Sequence, residues 1–124
     1  MDFDARVPIY LQIMEKIKKD IISGNLKSGE KMPSVRNMAS ELKVNANTMQ
    51  RVYQELEREE VIVTQRGTGS FVTEREKVIS EIRHQVADDL LSSFVKGMHE
   101  LGLDNESIMA KLGEYMEVGD NGTS

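Results

Sequence analysis

The stretch Met32–Val72, MPSVRNMASELKVNANTMQRVYQELEREEVIVTQRGTGSFV, constrains the fold more than any other part of the chain. Pro33 forbids a helix running in from before it, and Ser34 is a good N-cap for a helix that starts after it. Val35, Met38, Ala39 and Leu42 then fall on one face of a short helix. Lys43 and Val44 break that pattern. Asn45 is placed to cap a second helix, in which Met49, Val52, Tyr53 and Leu56 form an inward stripe. This leaves Asn47, Thr48, Gln50 and Arg51 on the outer side, near the start of the second helix. Amide and guanidinium side chains exposed there suit the base edges of a DNA major groove. Beyond the charged run Glu57–Glu60, Val61–Gln65 reads as a β-branched strand. Arg66–Gly69 is a turn that tolerates positive φ, and Ser70–Thr73 is the returning strand.

Residues 1–7 read as an extended arm. Pro8 fits the first turn of a helix whose stripe is Ile9, Ile13, Ile17 and Ile21, with Tyr10, Met14 and Ile22 beside it. Gly24 stops that helix, and a short strand is expected near Lys31–Met32. From Glu74 the period is helical again. Ile79, Ile82, Val86, Leu90, Phe94, Met98 and Leu101 step by three or four, and Ala87, Leu91 and Val95 widen the stripe. Gly102 ends it. Asp104 caps a last helix with Ile108, Met109, Leu112, Tyr115 and Met116 on one face. The final Gly119–Ser124 has no apolar anchor and is expected to be disordered.

Composition removes several classes of function. Hydrophobic residues at 39% and charged residues at 30% describe a soluble globular chain. No apolar run is long enough to span a bilayer, and the opening MDFDAR is too polar for a signal peptide, so a cytoplasmic protein with no membrane partner is expected. There is no cysteine, hence neither a disulfide framework nor a thiol nucleophile. No phosphate-binding glycine loop, Ser/His/Asp set or paired acidic motif assembles, which argues against an enzyme. His84 with Asp88, and His99 with Glu100, are too sparse for a metal site, so neither a metal nor a cofactor is expected. The net charge of −5 is mildly unfavourable for nucleic acid, but it is unevenly spread. Residues 1–73 carry 11 Lys and Arg against 10 Asp and Glu, whereas residues 74–124 carry 5 against 11.

PIYLQIMEKIKKDIISGNLKSGEKMPSVRNMASELKVNANTMQRVYQELE followed by RGTGSFV resembles the GntR family of winged helix-turn-helix transcription regulators. VNANTMQRVYQELE and a C-terminal part of only two helices are similar to its YtrA subfamily. The resemblance covers residues 8–73 by several separated signatures in order, and the remainder by length and pattern. Two departures stand out. Family members usually carry Gly where this chain has Glu60, and often Arg where it has Ala46.

The resemblance implies a mainly α fold with a small β-ribbon: a winged helix-turn-helix domain over residues 1–73 and a two-helix dimerisation module over 74–124. It implies double-stranded DNA as partner, with the second motif helix in the major groove and the wing tip in the minor groove. The implied contact positions are Arg36, Asn45, Ala46, Asn47, Thr48 and Gln50, with Arg66, Gly67, Thr68 and Gly69 of the wing. Ser34 and Thr48 at helix starts suit phosphate oxygens, and Arg51 belongs to the same exposed set. Asn45 is read first as a cap, and Tyr53 as core. The long stripe is too wide for one short partner helix, so a homodimer is expected through Ile82, Val86, Leu90, Leu91, Phe94, Val95, Met98, Leu112 and Tyr115. Two-fold symmetry implies an inverted-repeat operator. Repression follows by resemblance, in a subfamily that often controls transporter operons. Any small-molecule effector is expected at an intersubunit site, with Phe94, Met98, Met109 and Tyr115 as candidate lining, because two short helices do not enclose about 300 Å³ within one subunit. The alternative is a protein-interaction adaptor whose winged domain binds no DNA, supported by the acidic net charge.

Overall fold

A computed structural model describes residues 1–122, with side chains through Glu117. Among the described residues it contains five helices and one two-stranded ribbon, so the mainly α expectation holds. The order is α1 (Ile9–Ser23), α2 (Val35–Leu42), α3 (Ala46–Arg58), β1 (Ile62–Gln65), β2 (Gly69–Val72), α4 (Glu76–Glu100) and α5 (Asn105–Gly122). The chain forms two compact units, Met1–Val86 and Ala87–Ser124, and passes from one to the other inside α4.

In the first unit the apolar stripes of α1, α2 and α3 meet. Ile13, Ile17, Met49, Val52 and Leu56 are fully buried there, with Val61, Ile62 and Val72 of the ribbon region sealing one end. Pro8 stands just ahead of α1 with φ −54°, and Gly24 ends it at φ 87°. Lys18 of α1 is buried, and its Nζ donates to Glu59 Oε1 (2.7 Å) and to Gln85 Oε1 (3.4 Å). A long side chain that buries its stem and pairs its ammonium avoids the cost of an unpaired buried charge. Ile79 and Ile82, from the first turns of α4, belong to this same core.

The ribbon is antiparallel, with Ile62 opposite Val72 and Gln65 opposite Gly69. The strand expected near Lys31–Met32 is a single bridge from Lys31 to Phe71, flanked by Met32 N to Ser70 O (2.7 Å) and Val72 N to Glu30 O (2.8 Å).

Both helices of the central motif end in the same device. Val44 N donates to Ala39 O and Lys43 N to Ser40 O, with Lys43 at φ 57°. Val61 N donates to Leu56 O and Glu60 N to Glu57 O, with Glu60 at φ 64°. This pair of bonds is the Schellman termination, which favours glycine at the left-handed position. Glu60→Gly is therefore expected to raise stability, by about 0.5–1 kcal/mol after glycine's greater freedom in the unfolded chain is set against relieved strain. Urea unfolding of the two proteins measures this. A midpoint that falls instead would mean that the exposed Arg75–Glu60 pair (3.2 Å) outweighs the strain.

In the second unit Gly102 ends α4 at φ 85°, and Asp104 Oδ1 accepts from Ser107 N (2.9 Å) at the start of α5. The Asp104 carboxyl is held below its ordinary pKa by that backbone hydrogen bond. His99 Nε2 and Asn105 Oδ1 lie 2.7 Å apart, joining the end of α4 to the start of α5. Helix α5 runs to Gly122, four residues into the segment expected to be disordered. Thr123 and Ser124, the rest of that segment, lie outside the described residues.

Candidate nucleic-acid interface

Ser34 Oγ accepts from Asn37 N (3.1 Å), and Asn45 Oδ1 accepts from Asn47 N (2.6 Å), so both act as the N-caps their positions suggest. With α2 and α3 started at those points, their faces divide cleanly. Met49, Val52, Tyr53 and Leu56 turn inward on α3, while Ala46, Asn47, Gln50 and Arg51 are exposed and Thr48 is half-buried. Arg36, in the first turn of α2, is exposed as well.

Tyr53 locks the two helices together. Its hydroxyl donates to Pro33 O (2.6 Å), so the third turn of α3 is tied to the residue just before the α2 cap. Burial, and then the charge of Glu41, push the phenol up to about 12, so it remains a neutral donor near neutral pH. Tyr53 is thus core, as its spacing indicates.

The wing tip is Arg66, Gly67 and Thr68, all exposed, closed by Thr68 N donating to Gln65 O (2.9 Å). Gly67 has φ 78° and open space where a Cβ would stand. Gly69 has φ 127°, and a Cβ there would lie 2.9 Å from Lys31 Cε, so the Lys31 stem crosses close to the wing backbone. Arg36, Arg66, Lys31 and Lys43 form no ion pair with any described residue. Unpaired cations at the start of α2, at the motif turn and on the wing can meet phosphate oxygens without first breaking an internal bond.

Arg51 has a partner that spacing within one helix does not disclose. Its Cζ lies 3.7 Å from the centre of the Tyr10 ring on α1. Tyr10 reads in sequence only as part of an apolar stripe.

The residues expected at a subunit interface fall into two groups. Ile82 and Val86 are buried within the chain, and Ile82 is part of the first unit's core, so neither lies open to a partner. Leu90, Leu91 and Phe94 are exposed, as are Leu101, Met109, Tyr115 and Met116, while Val95, Met98 and Leu112 are half-buried. Phe94, Met98, Lys111, Leu112 and Tyr115 line an open groove of about 260 Å³ between α4 and α5; Met109 is not among its lining residues. No described helix is long and apolar enough to cross a membrane.

Residues 9–72 match the model of the bacterial regulatory proteins, gntR family. The chain is 40% identical to the HTH-type transcriptional regulator YhcF of Bacillus subtilis (strain 168), over 94% of this chain and 97% of that one. It is 34% identical to the HTH-type transcriptional repressor YtrA of the same organism, over 87% and 84% of the two chains. A solved GntR family transcriptional regulator from Listeria monocytogenes superimposes with a TM-score of 0.78 at 40% identity, covering 90% of this chain and 98% of that one. The match across α1 to β2, and these likenesses over nearly the full length, place this chain in the GntR family of bacterial regulatory proteins.

Proposed function

We propose that the protein is a dimeric, cytoplasmic repressor of the YtrA type that binds an inverted-repeat operator. That it is a DNA-binding transcription regulator, and not an enzyme, follows from its family. The observation that carries the DNA-contact part of this reading is the division of α3, and the dimer part rests on the exposed apolar side chains of α4 and α5. One face of α3 is sealed into the core, while the other holds Asn47 and Gln50 in solvent, with Arg51 exposed against the Tyr10 ring, within the same compact unit as the wing cations.

In this reading α3 lies in the major groove. Asn47 and Gln50 pair with base edges, Ala46 makes an apolar contact, and Asn45 keeps its cap while standing beside the DNA. Ser34, Arg36 and Thr48 hold phosphates, and Arg66, Gly67, Thr68 and Gly69 enter the adjoining minor groove. Leu90, Leu91, Phe94, Val95, Met98, Leu112 and Tyr115 meet a second copy, which covers an apolar surface that a lone chain leaves in water. Repression is carried over from the YtrA relative, which is named a repressor, and occlusion of a promoter is the mode we propose for this chain. An effector, if the protein uses one, sits between subunits.

Selection of bound sequences from a random duplex library tests the core of this. Gln50→Ala is expected to relax preference at one position of each half-site, at a cost of about 1–3 kcal/mol in discrimination, while Arg36→Ala weakens binding to all sequences. An unchanged site profile for Gln50→Ala would remove Gln50 from the base-reading set.

A further inference from the structure

We propose that Arg51 clasps a DNA backbone phosphate at the wall of the major groove, and that Tyr10 of α1 is the positioning residue that holds it there. This rests on the DNA-binding reading above and assigns Arg51 to the backbone, not to a base.

The guanidinium of Arg51 lies over the Tyr10 ring, with Cζ 3.7 Å from the ring centre. Such a contact uses the face of the guanidinium, and its N–H donors all lie in its plane, so they remain free at its rim. No carboxylate among the described residues takes them up. Tyr10 is half-buried and packed against the core, so the surface beneath the guanidinium is fixed. An Arg held in this way has less freedom to lose when it closes on an anion.

The place of Arg51 along α3 fits a phosphate. It follows Asn47 by four residues, so the two share a face. At a rise of about 1.5 Å per residue it stands about 6 Å further along the axis. A recognition helix presents its N-terminal residues to the base edges, so a residue one turn further on stands nearer the mouth of the groove and its phosphates.

The test uses the full chain and a duplex recovered by selection, with affinity measured between about 50 and 200 mM salt. Arg51→Met is expected to reduce the slope of log affinity against log salt by about 0.9 for each bound head. Tyr10→Leu should weaken binding about three- to tenfold, and Tyr10→Phe, which keeps a ring, should retain wild-type affinity. In the Arg51→Met background Tyr10→Leu should cost nothing further. Arg51 is exposed, so Arg51→Met carries the slope measurement even where Tyr10→Leu lowers stability. An unchanged slope for Arg51→Met, or an equal penalty for Tyr10→Leu in both backgrounds, overturns the proposal and leaves a purely structural contact. A wild-type chain that binds no duplex at any salt overturns the DNA-binding reading itself, a distinguishable failure.

Discussion

Leu91→Asp is expected to leave the protein monomeric and to cut its affinity for a duplex with two half-sites by about 10²–10⁴. Leu91 is 56% exposed on α4, beside Leu90 at 55% and Phe94 at 38%. Apolar side chains of this size, grouped on one helix and continued on α5 by Met109, Tyr115 and Met116, mark a surface that a partner covers. A carboxylate set into such an interface has no counter-charge there, and its desolvation opposes association. Leu91 lies in the unit Ala87–Ser124, outside the winged unit, so binding to a duplex with one half-site should be unchanged. Sedimentation gives the oligomeric state, and mobility shift on one-site and two-site duplexes gives the affinities. A wild-type chain that sediments as a monomer would end the dimer proposal, and a Leu91→Asp variant that remains a dimer would remove this face of α4 from the interface.

Most of the winged unit can be read in the sequence because its signals are local. Ser34 and Asn45 cap the helices they precede, and the stripe from Met49 to Leu56 decides which face of α3 is left in water. What eluded the sequence depends on contacts between elements distant in the chain. Nothing within α1 or α3 says that Tyr10 meets Arg51, or that Lys18 reaches Glu59 across 41 residues. The turn at Lys43 reads as a break in a pattern, yet it is a defined termination held by two backbone bonds, with a non-glycine residue at positive φ. Along α4 the periodicity is continuous from Ile79 to Leu101, and periodicity alone does not say where burial by the same chain gives way to exposure. The change comes just after Val86. Ile82 and Val86 therefore share the spacing of the interface candidates but are buried by their own chain, Ile82 in the core of the first unit.

That change point has a large consequence for where the DNA-reading head can be cut. A chain ending after Thr73 is expected to be less stable than one ending after Val86, by about 3–6 kcal/mol. The shorter chain loses Ile79 and Ile82, which are 8% and 5% exposed in the core, and each such side chain contributes about 1.5–3 kcal/mol through burial. Thr73 is itself a poor terminus. It is buried, its N–H donates to Val61 O (3.0 Å), and its carbonyl accepts from Ser28 Oγ (3.1 Å). Cutting there places a carboxylate where the fold holds a neutral carbonyl. Set against the roughly 5–15 kcal/mol that holds a typical domain together, the loss is large enough to leave much of the shorter chain unfolded near body temperature. In the full-length protein Ile82→Ala isolates the packing part of this effect, with an expected cost of about 2–5 kcal/mol. Urea midpoints of the two truncations and of Ile82→Ala test it together. If the chain ending after Thr73 unfolds at the same midpoint as the one ending after Val86, the first turns of α4 add nothing to the head, and the DNA-reading unit is complete at the wing.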